Sequence, residues 1–285
     1  MPDRSSPTVR RRRLGQELRR LREQAELTGD QVAARLGWSA AKLSRIETAR
    51  TVPRRSDVEA LLMIYMVDSE QRHELLALHR DASRKGWWEK YRDTLPEEYT
   101  TFLGLEAEAT VARHWEPQIV PGLFQTEAYV HALMESSQRS TLQAPGDLRD
   151  RIQVRMARQE AILSAERPQT LSVVVEESVL LRRFGDSAVM REQLQRLIEV
   201  SELPNVDLRV LPLDADHCIN TGAFIHLTLP EYHDVVYLEA LLGGRLLEDE
   251  QIVYRYEVAF DYLKGRALDA DASRKLIAKT IGRWK

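Results

Sequence analysis

The sequence predicts a two-domain α+β protein: a five-helix all-α domain followed by a mixed α/β domain, in which a small mixed sheet is flanked by helices. Three observations lead to this prediction. Apolar residues recur at helical spacing through the first 82 residues. Beyond residue 109, runs of β-branched residues alternate with helical patterns. The charge balance also changes, because residues 1–60 hold 14 Lys/Arg and 8 Asp/Glu, whereas the other 225 residues hold 27 and 36.

The first domain is placed at residues 1–82. Leucines at helical spacing predict a helix over residues 10–25. Thr28 and Gln31 fit a capping box that opens a second helix, and Gly37 permits the sharp turn that ends it. Ser39 is the expected N-cap of a third helix.

Two further helices complete this domain. Pro53 interrupts the chain, and Ser56 with Glu59 fits a second capping box at the start of the fourth helix. Leucines over residues 69–82 predict the fifth helix. Five short helices within about 75 residues make a compact helical domain.

Residues 83–108 are interpreted as a connecting segment and residues 109–285 as the second domain. Its predicted elements are an extended segment at 109–122, helices at 126–136 and 147–165, a strand beginning within 171–180, a helix at 187–202, strands at 206–213, 223–229 and 234–241, and helices at 249–264 and 270–283. The strand–helix–strand order over 171–213 predicts a parallel pair. The short turn between 229 and 234 predicts a hairpin, and Gly243-Gly244 is interpreted as a turn or hinge.

Composition limits the class of protein. The chain has 285 residues, which suits one large or two ordinary domains. No apolar stretch approaches the 18 residues of a membrane span, and no apolar run follows the basic start MPDRSSPTVRRRR. A single cysteine, Cys218, excludes an internal disulfide framework and fits a reducing cytoplasm. We therefore expect a cytoplasmic protein without contact to a membrane.

The segment QVAARLGWSAAKLSRIETAR, residues 31–50, indicates function. Two short helices joined at a glycine form the helix-turn-helix pattern. The second helix of such a motif enters a major groove about 12 Å wide, so its outward face must be slim and carry a few donors. The residues expected to contact DNA are Arg11, Arg12, Arg13, Thr28, Ser39, Ala40, Ala41, Lys42, Arg45 and Arg50.

These residues have different expected roles. Arg45 is the best candidate for a bidentate contact with guanine, and Ala40 or Ala41 could contact a thymine methyl group. Lys42 and Ser39 could donate hydrogen bonds to bases or to phosphates. The basic segment around Arg11 is expected to grip the backbone or a minor groove, and the helix N-termini offer backbone N–H groups to phosphates. The alternative for Arg45 and Lys42 is an ordinary solvated helix face.

Residues 11–80 resemble the Cro/repressor-type (XRE) helix-turn-helix domain, with LGWSAAKLSRIETAR at its turn and recognition helix. The resemblance implies that Arg22 on the first helix pairs with Glu47 at the end of the recognition helix, as a structural anchor. The family often has glutamines where this chain has Ala40 and Ala41. That difference puts more weight on Lys42, on Arg45 and on DNA shape.

The rest of the chain resembles an actinobacterial family of regulators. The similarity lies in WEPQIVPGLFQTEAYVHALM at 115–134, in LPNVDLRVLPL and DVVYLEALLGG, and in the terminal SRKLIAKTIGRW. In that family an XRE domain precedes an antitoxin-like domain of poorly defined function. The resemblance implies a transcriptional regulator whose large domain binds a small acidic or neutral protein encoded nearby.

Other candidate sites are weaker. Trp87, Trp88 and Tyr91 could pack the two domains together, present a partner surface or line an effector pocket. The arginines within 147–158 are interpreted as a solvated face, and VPGLFQT as a turn with buried Leu123 and Phe124. The histidines have no metal-site spacing, and no nucleophile–base or phosphate-binding motif is present. We therefore expect no metal, no cofactor and no enzyme activity.

The sequence thus predicts a sequence-specific transcriptional regulator of double-stranded operator DNA that acts as a homodimer, since one such domain touches only a half-site. The second domain would serve dimerisation, a small protein partner or a small-molecule effector. An alternative is an antitoxin-like protein that sequesters a small partner and binds DNA for autoregulation. A further alternative, an enzyme acting on a metabolite, has no motif to support it.

Overall fold

A computed structural model describes the protein at residues 7–83, 86–91, 95–141, 145–163, 168–217, 219, 221–230, 233–240 and 243–285. It divides into two compact units, Met1–Glu89 and Lys90–Lys285. The first is helical and the second contains a mixed sheet flanked by helices, so the predicted α+β class is confirmed. Cys218 lies outside the described residues.

The described residues of the first unit form five helices. They are α1 (Pro7–Gln24), α2 (Gly29–Leu36), α3 (Ala40–Glu47), α4 (Arg55–Ile64) and α5 (Ser69–Ala82). Their apolar faces meet in one core, which includes Leu14, Leu18, Val32, Leu43 and Leu61, each at most 1% exposed. All five helices occur in the predicted order, although α1 begins three residues earlier than expected.

The start of α4 differs from the prediction. The helix begins at Arg55 with Arg54 as its N-cap, and Asp57 Oδ2 accepts a hydrogen bond from the Arg54 backbone N–H at 3.2 Å. The predicted capping box of Ser56 and Glu59 is therefore wrong. The acidic side chain that closes the first turn is Asp57, and its position two residues before Glu59 allows the helix to start earlier.

The second unit has more elements. In chain order they are α6 (Glu97–Glu108), β1 (Val111–Glu116), α7 (Glu127–Thr141), α8 (Pro145–Leu163), β2 (Thr170–Glu176), α9 (Glu177–Leu181), α10 (Ser187–Ser201), β3 (Val206–Leu211), β4 (Phe224–Thr228), β5 (Val235–Ala240), β6 (Gly243–Leu247), α11 (Glu250–Arg266) and α12 (Ala270–Ile281). Two short 3₁₀ turns lie at Trp87–Tyr91, across the boundary of the units, and at Gly122–Phe124.

The sheet has the strand order β3-β2-β1-β4-β5-β6. β1, β2 and β3 are parallel, whereas β4, β5 and β6 pair antiparallel. The predicted parallel pair and the predicted hairpin are therefore confirmed. β6 was missed, because glycine is depleted in strands and Gly243-Gly244 was interpreted as a turn. Gly244 lies against the ring of Tyr237, where a Cβ atom would have no room.

The two faces of the sheet carry different kinds of buried side chain. Trp115 of β1 packs in a cluster with Phe260 and Leu263 of α11. Alternation along β1 places His114 and Glu116 on the opposite face. On that second face Tyr237 stacks on Phe102 of α6, with ring centroids 4.1 Å apart.

Residues 97–108, which the sequence analysis placed in a connecting segment, form a helix of the second unit. α6 buries Phe102, Leu103 and Leu105 to 1% exposure or less. A helix whose apolar side chains are buried to this extent packs into the core of its unit.

Candidate nucleic-acid interface

The turn between α2 and α3 has the geometry that the sequence predicts. Thr28 Oγ1 accepts from the Gln31 backbone N–H at 3.2 Å, and Gln31 Oε1 accepts from the Thr28 N–H at 2.8 Å. Gly37 ends α2 in the left-handed region, with φ of 65°. Trp38 N–H then donates to Ala33 O at 2.8 Å, which closes the turn. The αL conformation at Gly37 directs α3 sharply away from α2.

α3 is anchored to α1 through a bidentate ion pair. Arg22 Nε and Nη2 donate to the two carboxylate oxygens of Glu47 at 2.7 and 3.0 Å, and Arg22 Nη1 donates to Leu27 O at 2.9 Å. The hydrogen bond to Glu47 is the main cause that raises the pKa of Arg22. The side chains are only 13% and 9% exposed, so removal of either would leave a largely buried charge. The pair therefore fixes the end of α3.

Gly15 allows α1 and α3 to approach closely. A Cβ atom at this position would lie 2.6 Å from Glu47 O and 2.9 Å from Ile46 O. The contact is to the backbone, which cannot move aside as a flexible side chain would. Gly15 thus holds the same end of α3 that Arg22 binds, and the sequence analysis had not assigned it a role.

The outward face of α3 is slim. Ser39, Ala40, Ala41, Ser44 and Arg45 are all exposed. Ser39 Oγ accepts from the backbone N–H of Lys42 at 3.2 Å, as predicted for the N-cap. Arg45 is the long donor of this face, and the described residues provide no hydrogen-bond or ion-pair partner for its guanidinium. The face therefore combines small side chains with one extended cation.

Lys42 is tied to α4 by an ion pair, although its side chain is 35% exposed. Its Nζ lies 2.7 Å from Asp57 Oδ1 and 3.7 Å from the centre of the Trp38 ring. Asp57 thus binds the N-cap of α4 with one oxygen and Lys42 with the other. This arrangement ties α3 to α4, so the ammonium group of Lys42 is already neutralised where the sequence analysis expected a DNA contact.

The basic segment Arg11–Arg13 forms part of the first turns of α1. Arg10 lies 3.6 Å from Asp81, and Arg11 lies 3.8 Å from Glu89, so both point towards acidic groups of the first unit. Arg12 is half-buried and Arg13 is exposed. Of the other residues assigned to DNA, Thr28 and Arg50 are both exposed. The Arg50 N–H donates to Arg45 O at 2.9 Å, which fastens the chain after α3.

The aromatic residues at 87–91 form a 3₁₀ turn. The rings of Trp87 and Trp88 meet edge to face with centroids 5.7 Å apart, and Trp88 is 3% exposed. Tyr91 belongs to the second unit, where it lines an open groove of about 620 Å³ together with Ile152, Met156 and Leu163. The assignment of Trp87, Trp88 and Tyr91 to packing between domains, to a partner surface or to an effector pocket stays a prediction.

The second unit also contains a buried polar cluster that the sequence analysis did not identify. Arg158 Nε and Nη2 donate to the carboxylate of Glu106 at 2.5 and 2.6 Å, and Arg155 Nη1 donates to Gln125 Oε1 at 2.7 Å. The interpretation of the 147–158 arginines as a solvated face is therefore wrong for Arg155 and Arg158, which are 9% and 5% exposed. They turn inward because buried carboxylate and amide groups satisfy them.

Two titratable groups of β1 lie in the same region. Burial, with a smaller contribution from Glu239, raises the pKa of Glu116 to about 8. Burial, assisted by Arg158, lowers the pKa of His114 to about 3. Neither ring nitrogen of His114 has a hydrogen-bond partner among the described residues. Both side chains are thus held in their neutral forms near neutral pH.

The signals that could have revealed this cluster are weak. Arg155 and Arg158 are three residues apart, which places them on one side of α8. Glu106, the partner of Arg158, is 52 residues away from it in the chain.

The predicted turn of VPGLFQT is confirmed, and Leu123 and Phe124 are buried there. Gln125 of the same segment joins the buried polar cluster through its hydrogen bond with Arg155.

The described part of the chain contains no group of three or more His, Cys, Asp or Glu side chains arranged to hold a metal ion. Within the same residues, no helix is both long and apolar enough to cross a membrane.

Comparison with known families agrees with the geometry of the first unit. A family model described as a helix-turn-helix domain matches residues 13–75. This match covers α2, the Gly37 turn and α3, and it indicates a DNA-binding regulator.

A second family model, described as a domain of unknown function (DUF5753), matches residues 99–279. This match covers more than half of the chain, and the protein belongs to this family. No curated protein and no solved structure matches the chain. The antitoxin-like character implied by the sequence resemblance has no support from these comparisons.

Proposed function

We propose that the protein is a sequence-specific transcriptional regulator that binds double-stranded operator DNA in the cytoplasm as a homodimer, without catalysing a reaction. The observation that carries this proposal is the outward face of α3. Small side chains let the helix enter a major groove, and the exposed guanidinium of Arg45 matches the two acceptors on a guanine edge.

The fixed orientation of α3 supports the same proposal. Readout of bases requires a recognition helix that does not rotate on its scaffold. Arg22 and Glu47 hold one end of α3, Lys42 and Asp57 hold its outer side, and Gly15 sets its distance from α1. Arg45 is exposed and takes no part in these contacts. In this proposal the other residues fix the position of α3, and Arg45 makes the main contact with the bases.

Phosphate contacts would come from neighbouring positions. The first backbone N–H groups of a helix lack intrahelical acceptors, and the N-termini of α2 and α3 at Thr28 and Ser39 are both exposed. Arg13 and Arg50 are exposed cations of the same unit. These groups would position the domain without selecting a sequence.

The test compares Arg45→Ala with Arg245→Ala on DNA selected by the wild-type protein from a random library. Arg245 is exposed and lies in β6, so its replacement makes the same change in net charge outside the first unit. We expect Arg45→Ala to weaken binding by about 1–3 kcal/mol and to lose preference at one base pair of each half-site. If both variants keep the wild-type affinity and base preferences, the assignment of Arg45 is wrong.

The second unit is proposed to sense a partner or effector. Its open groove of about 620 Å³ is lined by apolar Ile152, Met156 and Leu163 and by charged Glu127, Glu160 and Arg196. That mixture suits a small molecule or a side chain of a small protein encoded nearby. The groove is also the observation that supports the second candidate function, sequestration of a small partner in the manner of an antitoxin.

The two functions predict different results in cells. Met156→Glu places a charge in the apolar part of the groove. If the main role is sequestration, a small protein copurifies in a stoichiometric amount with the wild type and is lost from Met156→Glu. If the main role is transcriptional control, deletion of the gene changes transcription from operators bound in genome-wide footprinting, whether or not such a partner is present.

A further inference from the structure

The two buried arginines of α8 have unequal partners. Arg158 donates to both carboxylate oxygens of Glu106. Arg155, three residues earlier in the same helix, donates to the neutral amide oxygen of Gln125 at 2.7 Å. No carboxylate among the described residues forms an ion pair with Arg155, although its side chain is only 9% exposed. A buried charge without a counter-charge in contact lowers stability, so Arg155 favours a ligand that brings one.

The carboxyl group of Glu116 lies in the same region but does not neutralise Arg155. Glu116 ends β1, is 5% exposed, and forms no hydrogen bond with the described residues. Arg155 affects the pKa of Glu116, so the two groups are close, yet burial and Glu239 raise that pKa to about 8. Glu116 is therefore protonated at neutral pH, and its O–H is a hydrogen-bond donor.

The register of the sheet shows where solvent comes close to Glu116. Trp115 lies opposite Phe224, and Phe224 lies opposite Leu238. The next residues of β1 and β5 are Glu116 and Glu239, which therefore lie at the same level, two strands apart and on the same face. Glu239 is exposed. This edge of the sheet also holds the carboxyl end of β1, where ligands of α/β proteins commonly bind.

The turn after β1 leaves one side of both guanidinium groups without a covering side chain. A Cβ atom at Gly122 would lie 3.1 Å from Arg158 Nη1 and 3.5 Å from Arg155 Nη1. Gln159 fixes this turn, because its Nε2 donates to Gly122 O at 2.8 Å and to Gln125 O at 2.9 Å. Arg155 is thus held in place beside a backbone that carries no side chain.

The two groups define the chemistry of a suitable ligand. Arg155 offers N–H donors and a positive charge, and Glu116 offers an O–H donor. A carboxylate has two oxygens that accept charge-assisted hydrogen bonds from both. Sulfate carries a second negative charge, which Glu106 and Glu239 would repel. The region therefore suits a monovalent carboxylate.

We propose that Arg155 and Glu116 form a binding site for the carboxylate group of a small organic acid. Arg155 supplies the charge, and Glu116 supplies a second hydrogen bond. The site is distinct from the open groove, whose lining includes neither residue. The proposal goes beyond the proposed function, because it concerns the second unit alone.

The test measures binding of acetate to the full chain at neutral pH by saturation-transfer NMR, with chloride keeping the ionic strength constant. Because a ligand as small as acetate makes few contacts, we expect a dissociation constant on the order of 0.1 to 10 mM. Arg155→Met removes the charge and raises this constant at least about tenfold. Arg149→Met, at an exposed position of the same helix, makes the same change in net charge and leaves it unaltered.

Competition identifies the class of anion. Propionate displaces acetate, whereas sulfate at the same ionic strength does not. If sulfate displaces acetate equally well, the region attracts anions in general and the assignment to carboxylates is wrong. If acetate does not bind the wild type, or binds Arg155→Met as tightly as the wild type, the proposal is overturned.

The pH dependence tests Glu116 separately and does not require Arg155→Met to fold. Acetate binds while Glu116 is protonated, so its affinity is full below the Glu116 pKa of about 8 and falls as the pH rises above that value. Glu116→Gln keeps a donor without a charge, so it binds acetate at neutral pH and lacks this fall. Equal pH profiles for wild type and Glu116→Gln would show that Glu116 does not contact the ligand.

The neighbours of Glu116 do not account for such a profile. Burial holds the pKa of His114 at about 3 and raises that of Tyr129 to about 12, and burial also raises the pKa of Tyr237. The charged groups around Glu116 are Glu106 of α6, Arg155 and Arg158 of α8, and Glu239 of β5.

The result is independent of DNA recognition. If carboxylate binding is found and the proposed function fails, the protein binds acetate but no duplex. If carboxylate binding fails and the function holds, Arg45-dependent DNA binding is observed in a protein that does not bind acetate.

Discussion

Replacing Glu116 with Gln removes a carboxyl group that is 5% exposed in β1. In the unfolded chain its pKa is near the ordinary value of 4.5, whereas burial and Glu239 raise the folded-state pKa to about 8. The folded protein therefore binds this proton more tightly than the unfolded chain does. The stability that Glu116 contributes is fully present below pH 4.5 and is lost as the pH rises through 8.

The size of the effect follows from one proton. Between the two pKa values, the unfolding free energy falls by about 1.4 kcal/mol for each pH unit because of Glu116. His114 acts in the opposite direction, since its pKa is lowered from 6.5 to about 3. Its contribution is present above pH 6.5 and is lost as the pH falls through 3. From pH 4.5 to 6.5 the two slopes cancel in the wild type.

In the Glu116→Gln variant, the pH dependence of stability that His114 causes is no longer cancelled by that of Glu116. The stability of the variant should rise with pH by about 1.4 kcal/mol per unit from about pH 4.5 to 6.5, while that of the wild type stays nearly level with respect to these two groups over the same range. Above about pH 6.5 the unfolding free energy of the variant increases relative to that of the wild type by the same amount per pH unit. This continues until Glu116 ionises in the folded wild type near pH 8.

The assay is urea unfolding of the full chain at several pH values, with Glu192→Gln as a matched control at an exposed position of α10. Because the protein has two units, the transition that Glu116→Gln displaces is taken as that of the second unit. A difference between wild type and variant that stays constant from about pH 5 to 7 would refute the description of Glu116 as a buried, neutral carboxyl group.

Two further predictions concern the support of α3. Lys42→Ala should lower stability by about 1 kcal/mol, because it removes a partly buried ion pair with Asp57 and a contact with the Trp38 ring. Asp57→Ala should lower stability by a similar amount, and the two effects should not add in the double variant, because both remove the same ion pair. If Lys42→Ala changes the base preference without lowering stability, Lys42 contacts DNA and does not hold α3 to α4. Gly15→Ala should destabilise the first unit by about 1–3 kcal/mol in thermal unfolding, since the added Cβ would lie 2.6 Å from Glu47 O. Gly29→Ala is its control, because a Cβ there comes no closer than 3.8 Å to Leu43, and equal stability of the two variants would show that α1 can move away from α3.

Local patterns were sufficient for much of the fold. Thr28, Gln31, Gly37 and Ser39 act on residues within four positions in the chain, and their caps and turn occur as predicted. The parallel pair β2–β3 and the hairpin β4–β5 also follow from short-range order. The caps and the turn depend on hydrogen bonds between near neighbours, whereas β2 and β3 pair residues such as Leu171 and Val206, and their pairing follows from the order of consecutive elements.

Other features could not be read locally. β6 was missed because its glycines have little intrinsic preference for a strand, and its pairing with β5 decides the conformation. The start of α4 was misplaced because two acidic residues could close the first turn, and only the position of Asp57 against Arg54 and Lys42 distinguishes them.

The amino-acid sequence by itself determined the class of each unit, the order of the helices and the slim outward face of α3, because periodicity and capping are properties of neighbouring residues. The tertiary structure alone decided which cations stay available to a ligand. Lys42 and Arg45 lie on the same short helix, yet Asp57 neutralises the first and leaves the second exposed. In the same way Arg158 is buried against a carboxylate from another helix. The physical reason is that a charge is free or paired according to what folding brings within about 4 Å of it, and those partners are distant in the chain.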